Sequence, residues 1–412
     1  MTNPLNSRTQ SPVDLGVFDL EVDSEMDMLY AITGLSKIEA FGSHVTGRDS
    51  LTLSLDVDLE KLSELLEESL RKYEAQLPKE FEWVDNIHKI KDKDKEQIQT
   101  LNLELDKLLG QKLFDNMWLG EPEIIDWENQ IGYSFDMRNR TARHCTLHLD
   151  YLVNYFREKE ITLTTENLIK QKVHVNDSEY NSCKAWQAYR CLYAEINFNN
   201  QYYILRNGQW YLVNSDFVNR VDAYLNSTSE SGFDNYDFTF PTYASLREED
   251  YNKLAEKECE SLQIMDKELI KIGGPYDKIE FCDLINNDVD FIHVKYYSGS
   301  ATLSHLFAQG YVAAEAFVSD IEFRTKLNEK LPDSSKLHDP QKRPTPNDYR
   351  IVFAVATDKE LPKDLPFFSK VTLKNTLRHL KNLNFKVSIV SIKIGPEIKA
   401  IKTYKPKKEK RS

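Results

Sequence analysis

Between residues 247 and 394, short apolar runs and helically spaced stretches alternate in one order, which restricts the fold more than any other feature of the chain. A helix is expected over 247–263. Short strands are expected over 267–272, ended by Gly273-Gly274, over 278–284, and over 290–297 after a turn at Asn286-Asn287. Helical spacing covers 301–318. After a proline-punctuated loop at 332–346 come a strong strand at 349–356, an amphipathic helix at 368–382 and a last strand at 385–394. The order reads α-β-β-β-α-β, then α-β. It predicts one mixed sheet flanked by helices, in a chain of α/β (α+β) class.

The preceding residues are organised differently. Residues 1–16 read as a loose lead-in. Asp19, Glu21, Asp23, Glu25 and Asp27 run into Met28-Leu29-Tyr30-Ala31 and read as an acidic helix start. Alternation at 50–55 predicts a strand. Leu59, Leu62, Leu65, Leu66 and Leu70 predict the buried stripe of a helix over 58–75, and a second helix is expected over 93–109. From 189 to 213, turns at Asn199-Asn200 and Asn207-Gly208 separate three strands, a small aromatic β-meander. Its aromatics alternate with other apolar residues, so they read as a sheet core rather than as base-stacking platforms. Residues 227–245 read as a linker. The expected regions are an acidic, mainly helical one (1–130), a β-meander domain with linker (131–245), an α/β domain (246–395) and a basic tail (396–412).

Composition bounds the setting. No run reaches the roughly 18 apolar residues of a spanning helix. The first ten residues carry no signal-peptide core. The five cysteines are scattered without a CxxC pair. These features predict a cytoplasmic protein without membrane contact. His144, Cys145 and His148 form an H-C-x-x-H cluster, but no fourth ligand at zinc-site spacing accompanies it. The net charge of -13 opposes general coating of nucleic acid. The end of the chain is basic, however. Lys405, Lys407, Lys408, Lys410 and Arg411 suit an electrostatic anchor to nucleic acid, with a solvated end as the alternative.

The α-β-β-β-α-β order resembles the core of restriction-endonuclease-like nucleases, whose motif places an acid on the second strand and acid-x-lysine on the third. Here the second strand ends in Glu280-Phe281-Cys282-Asp283, and the third carries His293-Val294-Lys295. Strand alternation points His293 and Lys295 the same way, beside Asp283. A carboxylate holds a divalent cation, and a lysine orients water or neutralises the charged transition state. Glu258 shares a helix face with Tyr251, Ala255 and Leu262 and offers a further carboxylate. The candidate metal ligands are therefore Asp283, Glu258 and His293. The candidate catalytic residues are Asp283, Lys295, His293, Glu280 and Gln309. The expected ion is Mg2+ or Mn2+, manganese being favoured by a histidine where the motif has an acid. Gln309 lies one turn after His305 on the following helix, and a buried, hydrogen-bonded His305 is the plain alternative. For Asp283 and Lys295 the plain alternative is a strand-end acid and a solvated lysine. His293-x-Lys295 also begins the HxK(x)4D motif of phospholipase-D-like nucleases, but its acid would fall at Ser300.

The stretches 42–51, 124–127, 191–196, 278–284, 293–310 and 365–370 resemble a family of sporadically distributed bacterial proteins of unknown function, over nearly the whole chain. Such patchy inheritance implies a role in defence against phage or mobile elements. The resemblance also implies a longer N-terminal segment, near whose end residues 3–8 would fall. It carries over no catalytic residues. The leading expectation is a metal-dependent nuclease or nuclease-derived domain acting on nucleic acid, DNA first. The second is a non-catalytic nucleic-acid- or partner-binding module. Other defence-system proteins or a second copy of the chain are the expected protein partners.

Overall fold

The protein is described from a computed structural model. It describes residues 32–47, 50–56, 58–77, 79–123, 132–137, 143–144, 147–177, 179, 181–227, 233–245, 247–265, 269–271, 278–297, 300–396 and 398. The acidic run at 19–27, the Gly273-Gly274 stop, Cys145 and the basic residues Lys405–Arg411 lie outside these residues. By its own contacts the chain divides between His88 and Lys89.

In the smaller unit, the strands Ile32–Leu35, His44–Gly47 and Leu51–Ser54 form an antiparallel meander. Gly42 precedes its middle strand at φ 73°, where a Cβ would meet Ser54 O at 2.7 Å, so only glycine fits. The helix Leu62–Glu74 follows. Its leucines are not the buried stripe that their spacing predicts. None of its residues is buried, and Leu66 and Leu70 are 60% and 55% exposed. Periodicity identifies an apolar face but not what covers it. None of the described residues of this unit does.

In the larger unit, residues from Lys89 onward join the β-meander instead of an N-terminal region. The helix Lys95–Gly110 buries Leu101, Leu105 and Leu109 in one core with Leu192, Ala194, Leu205 and Trp210. The strand Met117–Leu119 pairs with Leu192–Phe198, which pairs in turn with Gln201–Arg206 and that with Gln209–Val213. The turns are as expected: Asn199, Asn200, Asn207 and Gly208 all take positive φ, the requirement of tight hairpins. Asn102 Oδ1 accepts from Trp210 Nε1 at 2.9 Å and from Tyr189 OH at 2.7 Å, which satisfies both buried aromatic donors.

The C-terminal residues form one mixed sheet. Its order is Leu262–Ile264, Leu284–Asn286, Asp290–Tyr296, Arg350–Ala356, Lys386–Ile392. The first three strands are antiparallel and the last three parallel. Two expectations need correction. The first helix stops at Glu258 because Cys259 is extended, and Leu262–Ile264 becomes the first strand. The stretch 278–284 is not one strand. Lys278–Glu280 pairs with Leu269–Lys271 in a separate ribbon, and the main sheet resumes at Leu284. Between them Phe281 turns inward onto Phe291, Phe317 and Phe323.

Helix Glu248–Glu258 covers one face, with Tyr251 and Ala255 on Leu262, Leu284, Ile292 and Val294. Helices Ser300–Ser319 and Phe367–Asn382 cover the other, where Phe307 meets Phe353 edge-on at 5.2 Å. A further helix, Ile321–Lys330, has no counterpart in the sequence reading. Residues 233–245 are no free linker. Phe233 bridges Val387, Tyr243 bridges Ile394, and Tyr236, Phe238 and Phe240 lie on the sheet core. Polar groups join this layer to the preceding residues: Lys370 donates to Asp222 on helix Ser215–Asn226, which follows the meander, at 2.7 Å, and the Phe368 N–H donates to Glu195 of the meander at 3.4 Å. No helix among the described residues is long and apolar enough to cross a membrane.

Candidate active site

The strand Asp290–Tyr296 outruns its antiparallel neighbour. Pairing ends at Leu284 opposite Ile292, with one more bond from Asp283 N–H to Ile292 O at 2.9 Å. Beyond it the N–H groups of Val294 and Tyr296 face an open edge, about 6.6 Å apart by strand rise. Two carboxylates satisfy them. Asp283 Oδ2 accepts from Val294 N–H at 2.7 Å, and Glu248 Oε1 accepts from Tyr296 N–H at 3.2 Å. Glu248 Oε2 also accepts from Lys295 Nζ at 2.6 Å. The bend between the ribbon and the sheet sets Asp283 at the end of its strand, and the first turn of helix Glu248–Glu258 supplies Glu248. Two acids and a lysine from three elements thus meet at one strand edge.

Beside them lies a second polar group. Gln309 Nε2 donates to Glu280 Oε2 at 2.8 Å, linking the Ser300–Ser319 helix to the ribbon. His305, one turn earlier, is exposed rather than buried. Its imidazole is held below its ordinary range, first by desolvation against its neighbours; among the described residues the Lys295 ammonium adds to this, while Glu280 and Glu248 pull the other way.

The remaining candidates lie elsewhere. His293 does not face solvent with Lys295. It is 1% exposed, its ring 6.0 Å from that of Phe353, and its Nε2 has no hydrogen-bond partner. Full burial pulls its pKa down to about 4, so the ring is neutral near pH 7. Alternation does place it on the side of Lys295, but that side is capped by helix Ser300–Ser319 at His293 and opens only at the strand end. Gly310 makes the cap close: a Cβ there would come 3.4 Å from the His293 ring and 2.5 Å from Phe353. Glu258 is exposed in the last turn of its helix, away from the sheet.

The carboxylate that the helix contributes is Glu248, ten residues before Glu258, and the sequence reading missed it. A signal existed. Glu248 precedes Tyr251, Asn252 and Ala255 by three, four and seven residues, so it shares their buried face, but it stands among Glu249 and Asp250 and reads as helix-start charge.

Among the described residues, no group of three or more His, Cys, Asp or Glu side chains stands ready to hold a metal ion. Asp283 and Glu248 accept from amides two residues apart on one strand. Magnesium is commonly held by one or two carboxylates with water and substrate phosphate. Two carboxylates on one strand edge are the number such an arrangement supplies. With His293 buried, the ground for preferring manganese lapses.

The model of a family of unknown function (DUF6119) matches residues 1–393. No curated protein and no solved structure matches the chain.

Proposed function

We propose that this chain, which belongs to the DUF6119 family, carries a restriction-endonuclease-like core that hydrolyses phosphodiester bonds of nucleic acid. The observation that supports the reading is the meeting of Asp283, Glu248 and Lys295 at the open end of one strand of the mixed sheet. Asp283 and Glu248 would hold Mg2+ or Mn2+ against the scissile phosphate. The bound cation would supply charge stabilisation and a more acidic water. Lys295, steered by Glu248, stands where it can offset charge that develops on the phosphoryl oxygens. Gln309 holds Glu280, a third carboxylate, by a hydrogen bond from the helix that follows Lys295.

The same bonds favour a second reading. Carboxylates that satisfy open strand amides have a structural role without any ion, as in a binding module that keeps the fold. One experiment separates the two. The full chain is incubated with supercoiled plasmid, linear duplex DNA and single-stranded RNA, with Mg2+, with Mn2+ and with chelator. Cation-dependent cleavage, lost in Lys295→Ala and Asp283→Ala, is the expected result. A folded wild type that binds these substrates and cuts none of them supports the binding module instead.

A further inference from the structure

His305 is a titratable side chain of this region outside the Glu248–Lys295 pair, the Asp283–Val294 bond and the Glu280–Gln309 bond. It lies four residues before Gln309, so the two share a helix face. The neighbours fix that face. Leu303, Leu306 and Phe307 are buried, and Ser304 Oγ turns 3.3 Å from Thr372 Oγ1 on helix Phe367–Asn382. His305 is left on the flank where Gln309 meets Glu280, and it remains open to solvent. Among the described residues, the charged groups that act on it come from three other elements: Lys295, Glu280 and Glu248.

A group that activates water must reach solvent, stand beside the residues that handle the phosphate, and keep a lone pair near neutral pH. Lys295, as an ammonium donating to Glu248, has none to offer. Asp283 and Glu248 are engaged at the strand edge. The imidazole is exposed, lies on the flank of Gln309 and Glu280, and has its proton affinity lowered first by desolvation.

Resting on the nuclease reading above, we propose that His305 is the general base of the cleavage reaction. Its ring nitrogen takes one proton from water as the water oxygen bonds to phosphorus. The bond from phosphorus to the leaving ester oxygen breaks, and that oxygen takes a proton from solvent. The imidazolium then returns its proton to solvent.

The test uses the full chain, a duplex DNA or RNA that the wild type cuts, and single-turnover rates from pH 5 to 9. His305→Ala and His305→Gln should melt with the wild type, since the side chain is exposed. Both should lose about 10²- to 10⁴-fold in rate at pH 7. The acid limb of the wild-type profile should vanish in both. Added imidazole should restore rate to His305→Ala in proportion to its neutral form, and leave Lys295→Ala inactive. Variants that keep the wild-type rate, or that lose rate without imidazole rescue and with the acid limb intact, overturn the assignment while the nuclease reading stands. A wild type that cuts no substrate overturns both.

Discussion

Lys295 Nζ and Glu248 Oε2 stand 2.6 Å apart, joined around the open edge of the sheet, although the two residues are 47 positions apart in the chain. The pair is possible because the neighbouring strand ends opposite Ile292 and leaves the edge clear. Both side chains are partly exposed, at 26% and 31%, so solvent screens their attraction. Glu248→Gln retains an oxygen for the Tyr296 N–H and removes the charge. It should cost about 1 kcal/mol in urea unfolding and abolish cation-dependent cleavage. A stability loss several times larger would mark the carboxylate as chiefly structural.

Gly310→Ala sets two effects against each other. Alanine in a helix interior gains about 1 kcal/mol over glycine. The new methyl would stand 2.5 Å from Phe353, which is fully buried and has no room to retreat. Overpacking of this kind costs about 1–3 kcal/mol, so we expect a net loss. Adding Phe353→Leu should recover part of it. A stabilised single variant would show that the helix shifts freely over the sheet.

His293 gives the fold an acid-side weakness. Its native pKa of about 4 lies below the ordinary 6.5, so below 6.5 the unfolded chain binds the proton that the folded chain refuses. The stability held by the neutral ring is complete above about pH 6.5. It drains away as pH falls toward 4, by about 3 kcal/mol in all. His293→Leu should flatten stability against pH in that interval. A wild-type slope unchanged by the substitution would mean that other groups set it.

Lys370 is buried at 7% exposure against Asp222, where helix Ser215–Asn226 meets the C-terminal layer. Asp222→Ala leaves a buried ammonium unpaired and should cost about 3–5 kcal/mol. Lys370→Met, which removes the charge that needs a partner, should cost clearly less. Equal costs would show that the ion pair matters less than the packing of the lysine stem.

Local patterns made much of this legible. Apolar runs bounded by turn residues marked the strands now seen at Asp290–Tyr296, Arg350–Ala356 and Lys386–Ile392, and helical spacing marked helices Ser300–Ser319 and Phe367–Asn382, because these patterns are local to the chain. Asn-Asn and Asn-Gly marked the hairpins for the same reason: positive φ is a demand of the local backbone. The nearness of Asp283 to the Lys295 strand also followed from element order, whereas the bond from Gln309 to Glu280 did not. What only the tertiary structure decided depends on contacts between distant segments. Where the Leu284–Asn286 strand stops determines which amides lie open, and so which acids turn to them. The helix that closes over Phe353 buries His293, although its alternation alone would leave it beside Lys295. The choice of Glu248 over Glu258 came from how the helix lies on the sheet. A periodic sequence names the face of a helix, but the end of that face that meets a site is set by packing against strands remote in the chain.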